Sequence, residues 1–298
     1  MTNDQVPGGF ATIAVIGTGQ MGAGIAQACA TVAPHVIAID PDPAQRERAA
    51  AGIRKSLAKL AEKGLVADAA ATFSRIRFAE HPDDAEPADL VIEAIVEDLA
   101  AKRELWEDLH VVCRPEAVFA TNTSSLSVRE QAEATDRQDR FLGLHFFNPV
   151  PLMPLVEVVR TDALDPAILD RCVAFVRATG KTPVVAHDTP GFVVNRLLVP
   201  YLLDAARAVE ARVASVPDID AGMKLGAGYP MGPLMLLDFV GIDTVVRIAE
   251  IFHQAFEEDR HKAPAILAGM VARGELGKKS GKGFYDWTGT EPVARSLP

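Results

Sequence analysis

A glycine-rich segment at residues 17–22, with the sequence GTGQMG, constrains the fold of this chain more than any other feature. It follows a short apolar run at residues 10–17 and precedes an alanine-rich stretch at 21–33, which has the composition of a helix packed on a sheet. A second apolar run, at 35–40, completes a β-α-β unit. Continuous apolar strands that alternate with helices predict a parallel sheet covered by helices on both faces.

The alternation of strands and helices continues to about residue 188. We predict further strands at 75–80, 88–95, 117–122, 141–147, 154–160 and 182–187, and helices at 42–63, 97–113 and 165–180. Helical runs then follow at 192–213, 218–225, 231–256 (with a break) and 262–273. Because the pattern changes at residues 188–191, we predict an α/β domain at 1–189 and an all-α C-terminal domain at 190–298.

Gly17, Gly19 and Gly22 form a GxGxxG motif between the first strand and the first helix. The first glycine of such a motif permits a tight turn, the second lets a pyrophosphate approach the backbone, and the third lets helix and strand pack closely. The phosphates then lie at the positive N-terminus of the helix. The sequence therefore predicts a Rossmann-type doubly wound sheet that binds a dinucleotide. The predicted cofactor contacts in this segment are Gly17, Gly19, Gln20, Met21 and Gly22.

Asp40 ends the second predicted strand, 23 residues after Gly17. A carboxylate at this place can accept hydrogen bonds from both ribose hydroxyls, and it would repel a 2′-phosphate. The sequence therefore predicts NAD rather than NADP as the cofactor. The alternative is a glycine-rich turn without a ligand, with Asp40 capping the end of the strand.

Charge and cysteine content exclude several classes of partner. The formal net charge of −10 at pH 7 argues against nucleic acid and anionic membranes. The uncharged apolar stretch at 141–156 is interrupted by three prolines, so we expect no membrane-spanning helix there. Cys29, Cys113 and Cys172 are far apart and form no CxxC motif. We therefore predict no disulfide framework, no metal site and a cytoplasmic protein.

His145 lies in an otherwise apolar predicted strand, and a buried imidazole needs a polar partner. Glu157, on the next predicted strand, can be that partner. A histidine–carboxylate pair can move a hydroxyl proton near neutral pH, and beside NAD this indicates alcohol oxidation or carbonyl reduction. The alternative for His145 alone is a core histidine whose hydrogen bonds are satisfied.

Seven blocks of sequence, in order and at matching spacing, identify a resemblance that covers nearly the whole chain. They are VIGTGQMGAGIAQ, DLVIEAIVED, TNTSSLSV, HFFNPVPLMPLVEVV, PGFVVNRLL, MKLGAGYPMGPLMLLDFVG and KKSGKGFYDW. With these blocks the chain resembles the short-chain L-3-hydroxyacyl-CoA dehydrogenases, most closely the bacterial 3-hydroxybutyryl-CoA dehydrogenases. The resemblance implies oxidation of (S)-3-hydroxybutyryl-CoA to acetoacetyl-CoA, with NAD as the hydride acceptor.

The resemblance also implies roles for individual residues. His145 would be the general base that takes the 3-hydroxyl proton, and Glu157 would orient it and stabilise the imidazolium. Ser124 would hydrogen-bond the reacting oxygen, and Asn195 would position the acyl group and His145. Without the resemblance, Ser124 is better interpreted as the cap of a helix that begins near Leu126.

Glu97, Lys102 and Asn122 match family positions near the ribose and the nicotinamide of the cofactor. The alternative for Glu97 and Lys102 is that they are solvated, as charged residues at the start of a helix usually are.

Residues 46–63 contain six basic and two acidic residues, a local net charge of +4. Lys55, Lys59 and Lys63 are spaced by four residues, so a helix places them on one face. Like charges at this spacing repel each other, and a polyanion such as the phosphates of coenzyme A would relieve the repulsion. Lys59 and Lys63 also match family positions that contact coenzyme A, which implies a CoA-contacting helical insertion at about 42–64. The alternative is a solvated lysine face.

The resemblance further implies a homodimer formed through the C-terminal domain. Two other classes stay open at this point. One is a related dehydrogenase of a free hydroxy acid, of the gulonate or carnitine type, for which the basic segment would have no purpose. The other is an NAD-binding protein without enzymatic activity on the same fold.

Overall fold

The structure is a computed structural model that describes residues 6–296. Its contacts divide the chain between Thr189 and Pro190 into two compact units. None of the helices within the described residues is both long enough and apolar enough to cross a bilayer.

The first unit is an eight-stranded sheet with helices between most of its strands. Its elements are β1 (Thr12–Ile16), α1 (Gln20–Ala30), β2 (His35–Ile39), α2 (Pro43–Glu62), α3 (Ala69–Ser74), β3 (Ile76–Ala79), β4 (Leu90–Glu93), α4 (Leu99–Val112), β5 (Val118–Thr121), α5 (Val128–Ala132), β6 (Phe141–Phe146), β7 (Leu155–Arg160), α6 (Pro166–Ala178) and β8 (Thr182–His187). The strand order is β3-β2-β1-β4-β5-β6-β7-β8. The predicted Rossmann-type doubly wound sheet is confirmed.

One strand pair departs from the predicted parallel sheet. β6 and β7 are antiparallel, whereas every other neighbouring pair in this sheet is parallel. The connection between them, at 147–154, is too short for the crossover that a parallel pair requires. The sheet is therefore parallel as predicted except at this one pair.

The core of the first unit lies on both faces of the sheet. All residues of β4, β5 and β6 are buried, which agrees with the continuous apolar runs in the sequence. β8 is an edge strand, and of its six residues three are exposed, two are partly buried and one is buried. The buried strands are thus the central ones, and the polar residues at their carboxyl ends are fixed by a rigid sheet.

Local signals at the helix ends account for the helical insertion. Asp42 caps α2 by accepting a hydrogen bond from the N–H of Ala44 (2.9 Å). The helix is terminated at Gly64, which has a φ of +71°, a value that favours glycine. The predicted helix at 42–63 is confirmed. α3 was not predicted, because six residues are too few to show a helical periodicity.

The second unit is helical except for a short C-terminal hairpin. Its elements are α7 (Val194–Glu210), α8 (Val216–Ala221), a π-helical turn (Gly222–Gly226), α9 (Pro233–Val240), α10 (Ile242–Phe256), α11 (Ala265–Ala272), β9 (Tyr285–Asp286) and β10 (Val293–Ala294). The expected break within 231–256 is at Gly241, which has a φ of +100°. The predicted all-α C-terminal domain is confirmed.

Two buried aspartates organise the second unit. Asp220 accepts hydrogen bonds from the N–H groups of Leu234 (2.8 Å) and Met235 (3.0 Å), so it caps α9. Asp238 accepts hydrogen bonds from the N–H groups of Phe284 and Tyr285, both 2.9 Å, and burial raises the pKa of its carboxyl group. Asp238 belongs to the block MKLGAGYPMGPLMLLDFVG, and Phe284 and Tyr285 belong to the block KKSGKGFYDW. The hydrogen bonds of Asp238 therefore join these two blocks in the folded unit.

Candidate active site

The predicted phosphate-binding turn lies between β1 and α1. Gly17 has a φ of +87°, and a Cβ atom on it would lie 2.7 Å from the carbonyl oxygen of Ala94. A Cβ atom on Gly22 would overlap the carbonyl group of Gly17. Gly19 precedes α1, which no side chain of the described chain caps, and no described atom lies within 4 Å of where its Cβ would be. The turn therefore leaves space in front of backbone N–H groups, as a dinucleotide pyrophosphate requires.

Asp40, which follows β2, is held by the same turn. Its Oδ2 accepts hydrogen bonds from the N–H (2.8 Å) and Oγ1 (3.1 Å) of Thr18, and its Oδ1 accepts one from the N–H of Asp42 (3.0 Å). A cavity of about 590 Å³ adjoins these groups. Its lining includes Gly17, Gly19, Asp40, Glu80, Val96 and Leu105. Asp40 and the glycine turn thus line one cavity, as the predicted ribose contact requires.

His145 and Glu157 face each other across the antiparallel pair β6–β7. They are register partners, and His145 Nδ1 lies 2.7 Å from Glu157 Oε2. The side chain of Glu157 is fully buried, and that of His145 is 8% exposed. A carboxylate at Nδ1 fixes the orientation of the imidazole, so proton exchange is left to Nε2 on the other side of the ring. This arrangement can abstract a hydroxyl proton and stabilise the resulting imidazolium.

Glu97 lies just before α4 and accepts several hydrogen bonds from the loop that follows β5. Its Oε1 accepts hydrogen bonds from Thr123 Oγ1 (2.7 Å) and from the N–H groups of Ser124 (2.9 Å) and Ser125 (3.2 Å). Burial raises the pKa of Glu97, but Lys102 and the hydrogen bonds from the loop outweigh burial and hold that pKa below its ordinary value. The predicted site residues Glu97 and Ser124 are therefore in direct contact.

Lys102 is buried on α4, so the solvated alternative for this residue is wrong. Only 1% of its side chain is exposed, and its Nζ lies 2.5 Å from Glu93 Oε1 and 3.3 Å from Glu97 Oε2. Glu93 was missed in the sequence, although a carboxylate that ends an apolar strand was a usable signal. The three residues form one ion-pair cluster, in which Glu93 and Lys102 are buried and Glu97 is partly exposed.

Asn122 connects the carboxyl end of β5 to the strand of the histidine. Its Oδ1 accepts a hydrogen bond from the N–H of Phe146 (2.8 Å), the residue after His145. Its side chain is therefore ordered by the same strand ends that carry the candidate catalytic residues.

The alternative interpretation of Ser124 as a helix cap is wrong. α5 begins at Val128, and its cap is Ser127, whose Oγ accepts a hydrogen bond from the N–H of Glu130 (3.2 Å). Asp188, missed in the sequence, accepts hydrogen bonds from Ser127 Oγ (2.9 Å) and from the N–H of Val128 (3.0 Å). The loop of Ser124 is thus anchored at both ends by carboxylates.

The connection between β6 and β7 packs on α1. Gln20 Nε2 donates a hydrogen bond to Asn148 Oδ1 (3.1 Å). Gly24 lets the helix come so close that a Cβ on it would lie 2.8 Å from the Cβ of Val150. Lys181 Nζ donates to the carbonyl oxygen of Val150 (2.5 Å), and burial lowers the pKa of this lysine. α1 and the loop after His145 are therefore in direct contact.

In the basic segment on α2, two arginines contact other parts of the chain, whereas the lysines are exposed. Arg46 donates to the carbonyl oxygen of Asp40 (2.5 Å), and the guanidinium of Arg54 lies 4.3 Å from the ring centroid of Phe73. By contrast, three lysines of this helix face are exposed and have no ion pair within the described chain. They are Lys55, Lys59 and Lys63.

The remaining predicted residues are Asn195 and the three cysteines. Asn195 belongs to the second unit, where it lies in the first turn of α7. Cys29, Cys113 and Cys172 are buried free thiols, and burial raises the pKa of Cys113 to about 11. Within residues 6–296 no group of three or more histidine, cysteine, aspartate or glutamate side chains could hold a metal ion.

Two family models match the two halves of the chain. Residues 12–189 match the NAD binding domain of 3-hydroxyacyl-CoA dehydrogenase, and residues 191–287 match its C-terminal domain. The chain is 46% identical over 286 residues to the mitochondrial hydroxyacyl-coenzyme A dehydrogenase of Homo sapiens, with 92% of this chain and 90% of that protein covered.

Two bacterial proteins give the same result. The chain is 42% identical over 283 residues to the 3-hydroxybutyryl-CoA dehydrogenase of Bradyrhizobium diazoefficiens, with 94% of this chain and 97% of that protein covered. The crystal structure of (S)-3-hydroxybutyryl-CoA dehydrogenase from Ralstonia eutropha superimposes with a TM-score of 0.90 at 36% identity, with 94% and 100% covered. The resemblance seen in the sequence is confirmed, and the chain belongs to the 3-hydroxyacyl-CoA dehydrogenase family, whose N-terminal domain binds NAD.

Proposed function

We propose that this NAD-dependent 3-hydroxyacyl-CoA dehydrogenase oxidises (S)-3-hydroxybutyryl-CoA to acetoacetyl-CoA, and that the reaction is reversible. The observation that supports the proposal most directly is the buried contact of 2.7 Å between His145 and Glu157, in the sheet whose strand β1 leads into the glycine turn. The short acyl chain is proposed because bacterial relatives of similar length are named 3-hydroxybutyryl-CoA dehydrogenases.

In the proposed mechanism His145 is the general base. Its Nε2 removes the proton from the 3-hydroxyl group as C3 is oxidised, and Glu157 stabilises the imidazolium that forms. Ser124 hydrogen-bonds the reacting oxygen, and Asn195 positions the acyl group. NAD, when bound at the glycine turn next to Asp40, supplies the hydride acceptor. Glu97, Lys102 and Asn122 order the loop and strand ends beside this position.

We further propose that Lys59 and Lys63 bind the phosphates of coenzyme A. Three observations support this. The two lysines are exposed on one helix face, they have no ion pair in the described chain, and the arginines of the same segment are engaged elsewhere. A polyanion would neutralise their mutual repulsion.

We also propose a homodimer formed through the C-terminal unit. Several large apolar side chains of that unit are exposed, with Leu197 at 71%, Val213 at 72% and Leu225 at 86%. Exposed apolar surface of this kind favours association with a second copy. Light scattering after size-exclusion chromatography should give the mass of two chains, and the mass of one chain would contradict this proposal. The buried free thiols agree with the proposed cytoplasmic location.

The experiment that tests the proposed substrate is a steady-state assay of the purified protein. Oxidation of NADH is followed with acetoacetyl-CoA and, separately, with free acetoacetate. We expect turnover with the thioester only, and turnover with the free acid would instead indicate a hydroxy-acid dehydrogenase. A series of 3-oxoacyl-CoA substrates with four to sixteen carbons should give the highest kcat/KM at four. A maximum at a long chain would contradict the butyryl assignment and leave the family assignment intact.

A further inference from the structure

Glu93, Lys102 and Glu97 form a chain of ion pairs next to the loop that contains Ser124. Glu93 is the last residue of β4 and is fully buried, and Lys102 reaches it from α4. Lys102 Nζ lies 2.5 Å from Glu93 Oε1 and 3.3 Å from Glu97 Oε2. A buried ammonium group persists only when it is paired with negative charge. Glu93 supplies the shorter of the two contacts, so it determines where the ammonium group lies.

Glu93 is itself fixed by the strands around it. Its Oε1 also accepts a hydrogen bond from the N–H of Ile95 (2.8 Å), and its Oε2 accepts one from Thr121 Oγ1 (2.7 Å). Thr121 is its register partner on β5 and immediately precedes the segment that leads to Ser124. The position of Lys102 is therefore defined by the sheet and not by a flexible side chain.

The two carboxylate oxygens of Glu97 have different partners. Oε2 faces Lys102, and Oε1 accepts hydrogen bonds from Thr123, Ser124 and Ser125. The backbone N–H groups among these partners can only donate, so Oε1 must act as an acceptor. An ionised and correctly rotated Glu97 satisfies all of them at once.

We propose that Glu93 and Lys102 are positioning residues, which keep Glu97 ionised and in one orientation so that the loop at 123–125 presents Ser124 to the reacting oxygen. The inference rests on the proposed function, because the position of Ser124 affects the rate only where a 3-hydroxyl or 3-oxo group reacts beside it. It assigns Lys102 a role that acts through Glu97.

The proposed role of Lys102 predicts how the activity depends on pH. The charged groups that face Glu97 in the described chain are Lys102 on α4 and, beyond it, Glu93 on β4, while the loop after β5 contributes hydroxyl and amide groups. Removal of Lys102 takes away the positive charge that favours the ionised form of Glu97, whether or not Glu93 keeps its charge. A protonated Glu97 cannot accept every hydrogen bond from the loop, so activity should be lost at a higher pH than in the wild type.

The test compares the wild type with Lys102→Met and with the double variant Lys102→Met/Glu93→Gln. The double variant removes both buried charges, and its glutamine can still hydrogen-bond the N–H of Ile95 and the hydroxyl of Thr121, so it should fold even where the single variant does not. Glu107→Gln is the matched control, because this carboxylate is exposed on the same helix. For each protein we would measure kcat with acetoacetyl-CoA and NADH across pH, and hydrogen exchange at the amides of Ser124 and Ser125.

We expect kcat of the double variant to fall about 10- to 100-fold, the range typical of a small displacement of a catalytic group. The acidic limb of its pH profile should move to higher pH, and the two loop amides should exchange faster, while the control stays at wild-type values. A folded double variant with wild-type kcat, pH profile and amide exchange would overturn the positioning role alone. A wild-type protein that does not reduce acetoacetyl-CoA would overturn the proposed function and, with it, this inference.

Discussion

Replacement of Glu157 by glutamine tests the proton-transfer pair with little change in shape. The carboxylate is fully buried, and its Oε2 lies 2.7 Å from His145 Nδ1. A hydrogen bond to a charged group contributes about 1.5–3 kcal/mol and a neutral one about 0.5–1.5 kcal/mol. The imidazolium formed during oxidation should therefore lose roughly 1–2.5 kcal/mol of stabilisation. This corresponds to a decrease in kcat of about 5- to 70-fold. An amide nitrogen turned toward Nδ1 would favour the wrong tautomer and deepen the loss.

The assay is the initial rate of NADH formation from (S)-3-hydroxybutyryl-CoA at saturating NAD. KM for NAD and the melting temperature of Glu157→Gln should stay close to wild type, because glutamine fills the same buried space. Glu133→Gln is the matched control, since that carboxylate is 42% exposed and pairs with Arg129 on the surface. If Glu157→Gln is as fast as this control, the pair does not carry the proton and the proposed mechanism is wrong.

Three further predictions concern the cofactor, the coenzyme and stability. Lys59→Ala combined with Lys63→Ala should raise KM for the acyl-CoA but not for NAD, with a smaller effect at high salt; an unchanged acyl-CoA KM removes the phosphate-binding role. Asp40→Asn should lower the ratio of kcat/KM for NAD to that for NADP, and a constant ratio would contradict the ribose contact. Glu97 has a pKa below its ordinary 4.5, so the stability that its ionised form provides is present above that pH and is lost as the pH falls through its lower folded value. Denaturant unfolding of wild type and Glu97→Gln should accordingly give a difference in unfolding free energy that is constant above 4.5 and shrinks below it, and a difference that grows on acidification would refute the sign.

The sequence was sufficient to predict features that depend on local pattern or on strand neighbours. The glycine turn follows from Gly17, Gly19 and Gly22 between a strand and a helix. A contact between His145 and Glu157 could be expected because polar residues in two successive apolar strands meet when those strands pair. The direction of that pairing could not be predicted, since a fully buried strand has the same apolar pattern whether its neighbour is parallel or antiparallel.

Burial of charged residues was the main thing that the sequence did not reveal. In the sequence, Lys102 and Glu97 look like ordinary solvated residues at the start of a helix. Only the contact with Glu93, from a neighbouring strand, makes the interior suitable for the ammonium group of Lys102. The anchor of α5 was missed for a related reason. Asp188 lies 61 residues from Ser127 along the chain, and nothing in either local pattern indicates the other.

The close approach of α1 to the loop after His145 has a consequence for how natural variants of this enzyme should be interpreted. Gly24 has no side chain and no proposed role in the reaction. Any larger residue there would nevertheless push the helix and the loop apart at Val150. Such a variant would resemble a catalytic mutant in a screen, with low turnover. Its pH profile would be normal, because the proton-transfer groups themselves are unchanged. A loss of activity at position 24 or 150 should therefore be classified as a spacing defect between two parts of the scaffold.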